Sequence, residues 1–258
     1  MMNLFVLTGA GLSAESGLAT FRQSQDALWA RYDPYKLATP EAFARDPALV
    51  HDFYNDRRRA VLAAEPNEAH RALARLAAGL QAVGSQAEGV SLFLCTQNVD
   101  DLHERGGSER VTHMHGQLLQ ARCVVCRAVA GWRVDLDQSA ACPSCGERGR
   151  MRPDVVWFGE MPLAMDQIAR ALHRADLFVA IGTSGTVYPA AGFGAEARAA
   201  DIPTAEINLE PSQKGGLFDA GLYGPATQTV PRWVDAVLAL PPKNHAALLS
   251  TIITAGGE

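Results

Sequence analysis

Four of the five cysteines form two close pairs, Cys123-x2-Cys126 and Cys142-x2-Cys145, with fifteen residues between the pairs. Two such turns can close four thiolates around one tetrahedral zinc ion in the zinc-ribbon pattern. A four-thiolate set leaves no position for water or substrate, so the metal is expected to be structural. A second group suits acid–base work: His113 and His115 lie two apart, and on an extended segment both would face one side. A third suits a phosphate. Gly9-x-Gly11-x-x-Ala14 follows the apolar run Leu4-Phe5-Val6-Leu7 and fits a dinucleotide fingerprint in its Gly/Ala form. One glycine would serve the tight turn, one the approach of a pyrophosphate and the small residue the packing of helix on strand, with a helix N-terminus beside the anion. Taken alone, this motif equally describes a strand-to-helix turn that binds nothing. The fourth group is Tyr54 and Arg57, three apart on a predicted helix. A phenol beside a guanidinium fork can receive a carboxylate, although Arg57-Arg58-Arg59 also reads as a solvated basic face.

These groups need elements to hold them. Apolar runs beginning at Leu4, Val90, Leu177 and Ile202 predict four strands, separated by helical patterns, which is the signature of a parallel sheet covered on both faces. The strands run into Thr8-Gly9-Ala10-Gly11, Thr96-Gln97-Asn98-Val99-Asp100, Gly182-Thr183-Ser184 and Asn208-Leu209-Glu210. In a doubly wound sheet these carboxyl ends line one crevice, where ligands bind. No acidic residue ends a second strand about twenty residues after the fingerprint, so a cofactor would not be held as in ordinary dehydrogenases. Thr39-Pro40 and Asp46-Pro47 each place a cap before a proline at the first helical position, and a third helix is expected from Asn67 to Gly79. His70, in its first turn, is expected to be structural, as is His103. Residues 21–35 hold no period and read as an ordered lid.

The chain has 258 residues, 48% hydrophobic and 20% charged, with a net charge of -5. That length suits one large domain carrying a smaller insertion. The acidic balance argues against nucleic-acid or anionic-membrane partners. The N-terminus lacks the pattern of a signal peptide, and the charge-free stretch from Leu177 to Ala195 is broken by glycines and Pro189. With thiols spaced for metal, the expected setting is the cytoplasm, without membrane attachment.

The chain resembles the sirtuins, NAD-dependent protein lysine deacylases. The resemblance is carried in order by Gly9-Ala10-Gly11-x-Ser13-Ala14-Glu15-Ser16-Gly17 with Phe21-Arg22, Thr96-Gln97-Asn98-Val99-Asp100-x-Leu102-His103, His115-Gly116, the four cysteines, Val156-Trp157-Phe158-Gly159-Glu160, Gly182-Thr183-Ser184 and Asn208-Leu209-Glu210. It implies an α/β fold: a Rossmann-like parallel-sheet large domain (about 1–29, 82–116 and 155–258) with a small lobe made of a helical insertion (about 30–81) and a zinc ribbon (about 117–154). NAD would be consumed as a co-substrate, beside one structural zinc. Gly9, Ala10 and Gly11 would cradle its pyrophosphate, with Ser13, Ala14, Glu15, Arg22 and Trp29 in the same binding loops. Gln97 would meet the nicotinamide ribose, and Leu18, Phe21, Asn98 and Asp100 would enclose the nicotinamide. Gly182, Thr183, Ser184, Asn208, Leu209 and Glu210 would hold the adenosine half, and Ala226 would touch the adenine.

His115 would be the general base on a ribose hydroxyl, with Asn98 as its catalytic companion, giving nicotinamide, free lysine and 2'-O-acyl-ADP-ribose. Val156, Phe158, Gly159 and Glu160 would bind an extended acyl-lysine peptide by strand addition. Tyr-x-x-Arg at Tyr54 and Arg57 is similar to the class III sirtuins, which implies succinyl or malonyl groups as well as acetyl. Ala27 stands where the family pattern leads one to expect glycine. A monomer is expected. The competing readings are ADP-ribosyl transfer, NAD hydrolysis, or a zinc module that only binds the nucleotide.

Overall fold

The structure, a computed structural model, describes residues 2–19, 37–83, 90–212, 216–240 and 247–256. Its strands are β1 (Met2–Thr8), β2 (Val90–Thr96), β3 (Thr112–His113), β4 (Gly116–Cys123), β5 (Val129–Gly131), β6 (Met151–Val155), β7 (Leu177–Ile181), β8 (Thr204–Asn208) and β9 (Ala220–Tyr223). Six form a parallel sheet in the order β3-β2-β1-β7-β8-β9, and three form an antiparallel sheet in the order β5-β4-β6. The chain has a Rossmann-like core sheet with a smaller lobe bearing the four cysteines.

Both faces of the parallel sheet are covered, which is why its central strands read as unbroken apolar runs. In β1, Leu4 and Val6 enter one cluster with Leu73, Leu76, Trp233 and Val234. Phe5 and Leu7 enter another, with Ile168, Phe178 and Phe193. The strand order changes direction between β1 and β7, so the crevice outside their carboxyl ends is the place this topology offers to a ligand. Two short strands escape the apolar-run criterion: β3 has two residues and β9 has four. The fourth predicted strand begins at Thr204, after Ile202 and Pro203.

Thr39 and Asp46 cap the helices Pro40–Arg45 and Pro47–Ala63 through the amides of Ala42 and Leu49. Asn67 Oδ1 accepts from the amide of Ala69 at 3.0 Å, opening the helix Glu68–Val83. Gly79 does not end that helix as expected. It lies in the interior, where an added Cβ would come within 2.6 Å of Leu238 Cδ2 in the helix Ala226–Leu238. The helix continues through Gly79, where Leu238 of the neighbouring helix packs close, despite glycine's low helix propensity.

The interval 30–81 expected as one helical insertion therefore divides. Its last helix packs on the sheet through Ala69, Ala72, Leu73, Leu76 and Leu80. Pro40–Arg45 and Pro47–Ala63 instead join a third cluster, in which Val50, Phe53, Tyr54 and Val61 meet Leu118, Leu119 and Trp157. Asn55 fastens the longer helix to the ribbon: its Nδ2 donates to the Leu136 carbonyl at 2.9 Å, and its Oδ1 accepts from the Leu136 amide at 2.8 Å. Among the described residues no helix is long and apolar enough to cross a membrane.

Candidate active site

Four strand ends are drawn together by close backbone contact and by side-chain amides. A Cβ on Gly9 would lie 2.8 Å from the Gly182 carbonyl oxygen, and one on Gly11 would lie 2.8 Å from Gly182 Cα. Both glycines are thus needed first for the approach of the β1 and β7 loops to each other. Their amides are also engaged, Gly9 with the Ile181 carbonyl at 2.9 Å and Gly11 with the Gly182 carbonyl at 2.8 Å. These two amides are thus engaged within the chain. Thr183 is the next junction: Gln97 Nε2 donates to its Oγ1 at 3.0 Å and Asn208 Nδ2 to its carbonyl at 2.9 Å. Ser184 Oγ is bonded to Thr186 Oγ1 at 2.7 Å. Leu209 is 62% exposed and Glu210 is exposed, so both stand at the rim. The Glu15 carboxylate accepts from the amide and hydroxyl of Thr227 in the first turn of Ala226–Leu238.

Beneath the crevice lies a buried polar network. Asn98 Nδ2 donates to the Gly9 carbonyl and to Ser13 Oγ, each at 3.1 Å. Ser13 Oγ donates to Asp100 Oδ2 at 3.1 Å, and Asp100 Oδ1 accepts from the Leu102 amide at 3.1 Å. Burial raises the Asp100 carboxyl, against the lowering effect of these two bonds. His70 is fully buried, with Nδ1 bonded to Asn67 and Nε2 lying 3.4 Å from Ser13 Oγ, in keeping with its structural reading. His103 Nε2 pairs with Thr8 Oγ1 at 2.9 Å. Thr8 and Thr96, which stand at the strand ends in the sequence but carry no role there, are opposed in register, and Thr96 Oγ1 accepts the Asn98 amide at 3.0 Å. The signal available was a threonine ending each of two neighbouring apolar runs.

His113 and His115 do not share one extended face, because β3 ends at His113 and the chain turns through Met114 and His115. His113 is buried and used at both nitrogens, Nε2 with Glu104 Oε1 at 2.6 Å and Nδ1 with the Asn98 carbonyl at 3.2 Å. His115 is half-buried, and its Nδ1 lies 3.0 Å from the Gln97 carbonyl. A carbonyl only accepts, so Nδ1 carries the proton and Nε2 keeps its lone pair. Burial lowers the His115 pKa despite that bond, which keeps the ring neutral near pH 7. Gly116 adopts φ +79°, where a Cβ would come within 2.1 Å of the Asp154 carbonyl oxygen, so glycine is required directly after His115.

On the small-lobe side, Leu18 and Val99 pack on the cluster holding Tyr54 and Trp157. Tyr54 is buried, and Arg57 is half-buried one turn further along the same helix. Burial lowers the Arg57 guanidinium, and the Asp100 carboxylate acts against this. In the segment 156–160, the Val156 amide bonds to the His115 carbonyl and the Phe158 amide to the Ala38 carbonyl, both at 2.9 Å. Phe158 and Gly159 are exposed, whereas Trp157 is buried. The Glu160 carboxylate is engaged within the chain: it takes both nitrogens of Arg152, at 2.6 and 2.9 Å, and caps the Trp157 amide at 2.8 Å. Phe21, Arg22, Ala27 and Trp29 lie outside the described residues.

The sulfurs of Cys123, Cys126, Cys142 and Cys145 all lie within 4.8 Å of one another. Cys123 and Cys145 are 3.8 Å apart and Cys126 and Cys142 are 3.6 Å apart. A tetrahedral zinc with Zn–S of about 2.3 Å requires edges of about 3.8 Å, so the donor set fits that ion. The turns are closed by residues in the left-handed region, Arg127 and Gly146, immediately after the second cysteine of each pair.

A model of the Sir2 family matches residues 9–189, a span containing the glycine loop, Asn98, Asp100, His115, all four cysteines and Gly182. The chain belongs to the Sir2 family. It is 58% identical over 239 residues to the NAD-dependent protein deacylase of Caulobacter vibrioides, covering 93% of this chain and 98% of that one. The structure of a Sir2 homolog in complex with NAD superposes with a TM-score of 0.79 at 40% identity, covering 92% of this chain and 91% of the other. A Sir2 complex with the inhibitor EX-527, 2'-O-acetyl-ADP-ribose and a deacetylated p53 peptide gives a TM-score of 0.70 at 25% identity, covering 90% and 92%. As a Sir2 protein the chain is an enzyme of the sirtuin class, and its cysteine quartet is the family's structural zinc site.

Proposed function

We propose that this Sir2 protein is an NAD-consuming protein lysine deacylase that favours acidic acyl groups, succinyl and malonyl, and also accepts acetyl. The deacylase chemistry is supported by the relatives named above and, in this chain, by one observation above the others: the His115 imidazole is half-buried, bonded at Nδ1 to the Gln97 carbonyl and left with a basic Nε2. NAD supplies a ribosyl carbon that turns electrophilic as nicotinamide departs. The acyl-lysine carbonyl oxygen would bond to that carbon as the bond to nicotinamide breaks, and His115 would then take the proton of a ribose hydroxyl as its oxygen attacks the acyl carbon. Asn98, fixed by Gly9 and Ser13, and Asp100, fixed by Ser13 and Leu102, hold the leaving carboxamide in one orientation. Gln97 meets the adjoining ribose, and Gly182, Thr183, Ser184, Asn208, Leu209, Glu210 and Ala226 form the adenosine end. With the Val156 and Phe158 amides engaged within the chain, the carbonyls of these residues and the main chain of Gly159 receive an extended acyl-lysine peptide, while Glu160 holds that turn in shape. The protein acts as a cytoplasmic monomer in this reading, which gel filtration can test.

The acidic-acyl preference is supported by Tyr54 and Arg57, a phenol and a guanidinium on one face of Pro47–Ala63 beside Leu18 and Asp100. A carboxylate held there forms charge-assisted bonds with a half-buried cation, which a neutral acetyl group cannot do. The test is NAD-dependent nicotinamide release on matched succinyl-lysine and acetyl-lysine peptides, with peptide mass followed in parallel, for wild type and Arg57→Met. Loss of a charge-assisted bond costs about 1.5–3 kcal/mol, so the succinyl-to-acetyl ratio of kcat/KM should fall roughly tenfold to a hundredfold. An unchanged ratio would return Arg57 to the solvated face. Nicotinamide release without a change in peptide mass would favour NAD hydrolysis.

A further inference from the structure

The Tyr54 hydroxyl is not free to choose its role. The Trp157 indole Nε1–H donates to its oxygen at 2.9 Å. An indole nitrogen only donates, so the tyrosine oxygen accepts here and its own hydrogen must point elsewhere. Among the described residues that hydrogen has no acceptor, and the hydroxyl lies one helical turn from Arg57.

Trp157 is held so that it cannot turn away. Its ring is buried against Phe43, with centroids 5.4 Å apart, and the Arg152 guanidinium lies 3.3 Å from its ring centroid. Arg152 is pinned by Glu160 through two bonds, and Glu160 also accepts the Trp157 amide. Glu160, Arg152 and Trp157 thus form a closed clamp whose outward product is one N–H aimed at Tyr54. A phenol that can rotate may serve a donor or an acceptor, whereas one whose acceptor side is occupied presents a donor. A donor beside a guanidinium selects an anion over a neutral group.

We propose that Trp157 is a positioning residue for acyl recognition: its indole N–H occupies the acceptor side of the Tyr54 hydroxyl and so aims the hydroxyl hydrogen at an acyl carboxylate held by Arg57. This rests on the acidic-acyl reading above.

The test uses Trp157→Phe, which keeps an aromatic ring under Arg152 and removes the indole donor together with part of the ring, with Tyr54→Phe, the double variant and Arg57→Met. Each is assayed on succinyl-lysine and acetyl-lysine peptides. Trp157→Phe should lower the succinyl-to-acetyl ratio of kcat/KM about fivefold to tenfold, through the succinyl KM, with kcat on that peptide held within twofold. The double variant should match Tyr54→Phe within twofold, since Trp157 acts through that hydroxyl. If Arg57→Met collapses the ratio and Trp157→Phe does not, the acyl reading stands and the positioning role is wrong. Additive effects in the double variant also overturn it. If Arg57→Met leaves the ratio unchanged, the acyl reading fails and takes the inference with it. A second measurement does not require Trp157→Phe to fold. With the four tryptophans 15N-labelled, one indole N–H signal should shift in Tyr54→Phe, and the absence of any shift would overturn the hydrogen bond itself.

Discussion

At the scale of single residues, the histidines divide by what surrounds them. Burial lowers His115 and the Gln97 carbonyl only partly offsets it, so the neutral form of the base is favoured relative to a free imidazole. The pH profile of kcat/KM should therefore rise through a value below 6.5 and be level between pH 7 and 8; a rise that begins only above pH 7 would contradict the assignment. His115→Ala should lower deacylation by about a hundredfold to ten-thousandfold, the usual range for a general base. His70 matters for stability instead. Burial takes its pKa down to about 4, and His103 is lowered as well. A histidine depressed in the native state contributes fully above its unfolded pKa and loses that contribution as pH falls toward the folded value. For His70 this amounts to about 3 kcal/mol between pH 6.5 and 4. The urea midpoint should accordingly drop between pH 7 and 4.5. His113 runs the opposite way: burial pulls it down, but Glu104 more than reverses this. Its contribution is present below pH 6.5 and disappears as pH rises through its raised value.

At the scale of elements, the crossing of the β1 and β7 loops is set by glycine on both sides. A Cβ on Gly182 would lie 2.4 Å from the Leu12 amide nitrogen, and one on Gly11 would meet Gly182 itself. Gly11→Ala and Gly182→Ala should each cost roughly 1–3 kcal/mol by overpacking. Because both strain the same contact, the double variant should cost less than the sum, which chemical denaturation can read. Gly116→Ala presents a different case. It forces a side chain at positive φ against β6 and displaces the neighbouring His115, so activity should fall by a larger factor than the loss of stability explains.

At the scale of the whole molecule, the zinc ribbon and the helix Pro47–Ala63 are one mechanical unit. The strand β4 carries Gly116 at one end and Cys123 at the other, and Asn55 clamps the helix bearing Tyr54 and Arg57 to Leu136 of the ribbon. A strong chelator should release one zinc per chain, lower Tm and abolish deacylation. Asn55→Ala should retain zinc but weaken the succinyl preference. Zinc release by a chromogenic indicator, followed alongside activity, separates the two effects.

Spacing made some features legible. Four cysteines at ribbon separation need only close in space to bind a metal, and two-residue turns ensure that locally. Cap–proline pairs at Thr39 and Asp46, and buried strands read from unbroken apolar runs, are likewise local consequences of backbone geometry and hydrophobic period. The sequence by itself therefore determined the parallel sheet, the helix starts, the metal ligands and the set of polar residues at the strand ends. Tertiary structure decided what those residues touch. It alone made Gly9 and Gly11 partners of Gly182, carried the helix past Gly79, where Leu238 packs close, separated buried His113 from His115, and turned Glu160 inward to Arg152. The glycine contacts join segments far more than a hundred residues apart, the histidine and Glu160 contacts cross turns between neighbouring elements, and neither side-chain period nor local turn chemistry encodes which surface a residue will meet.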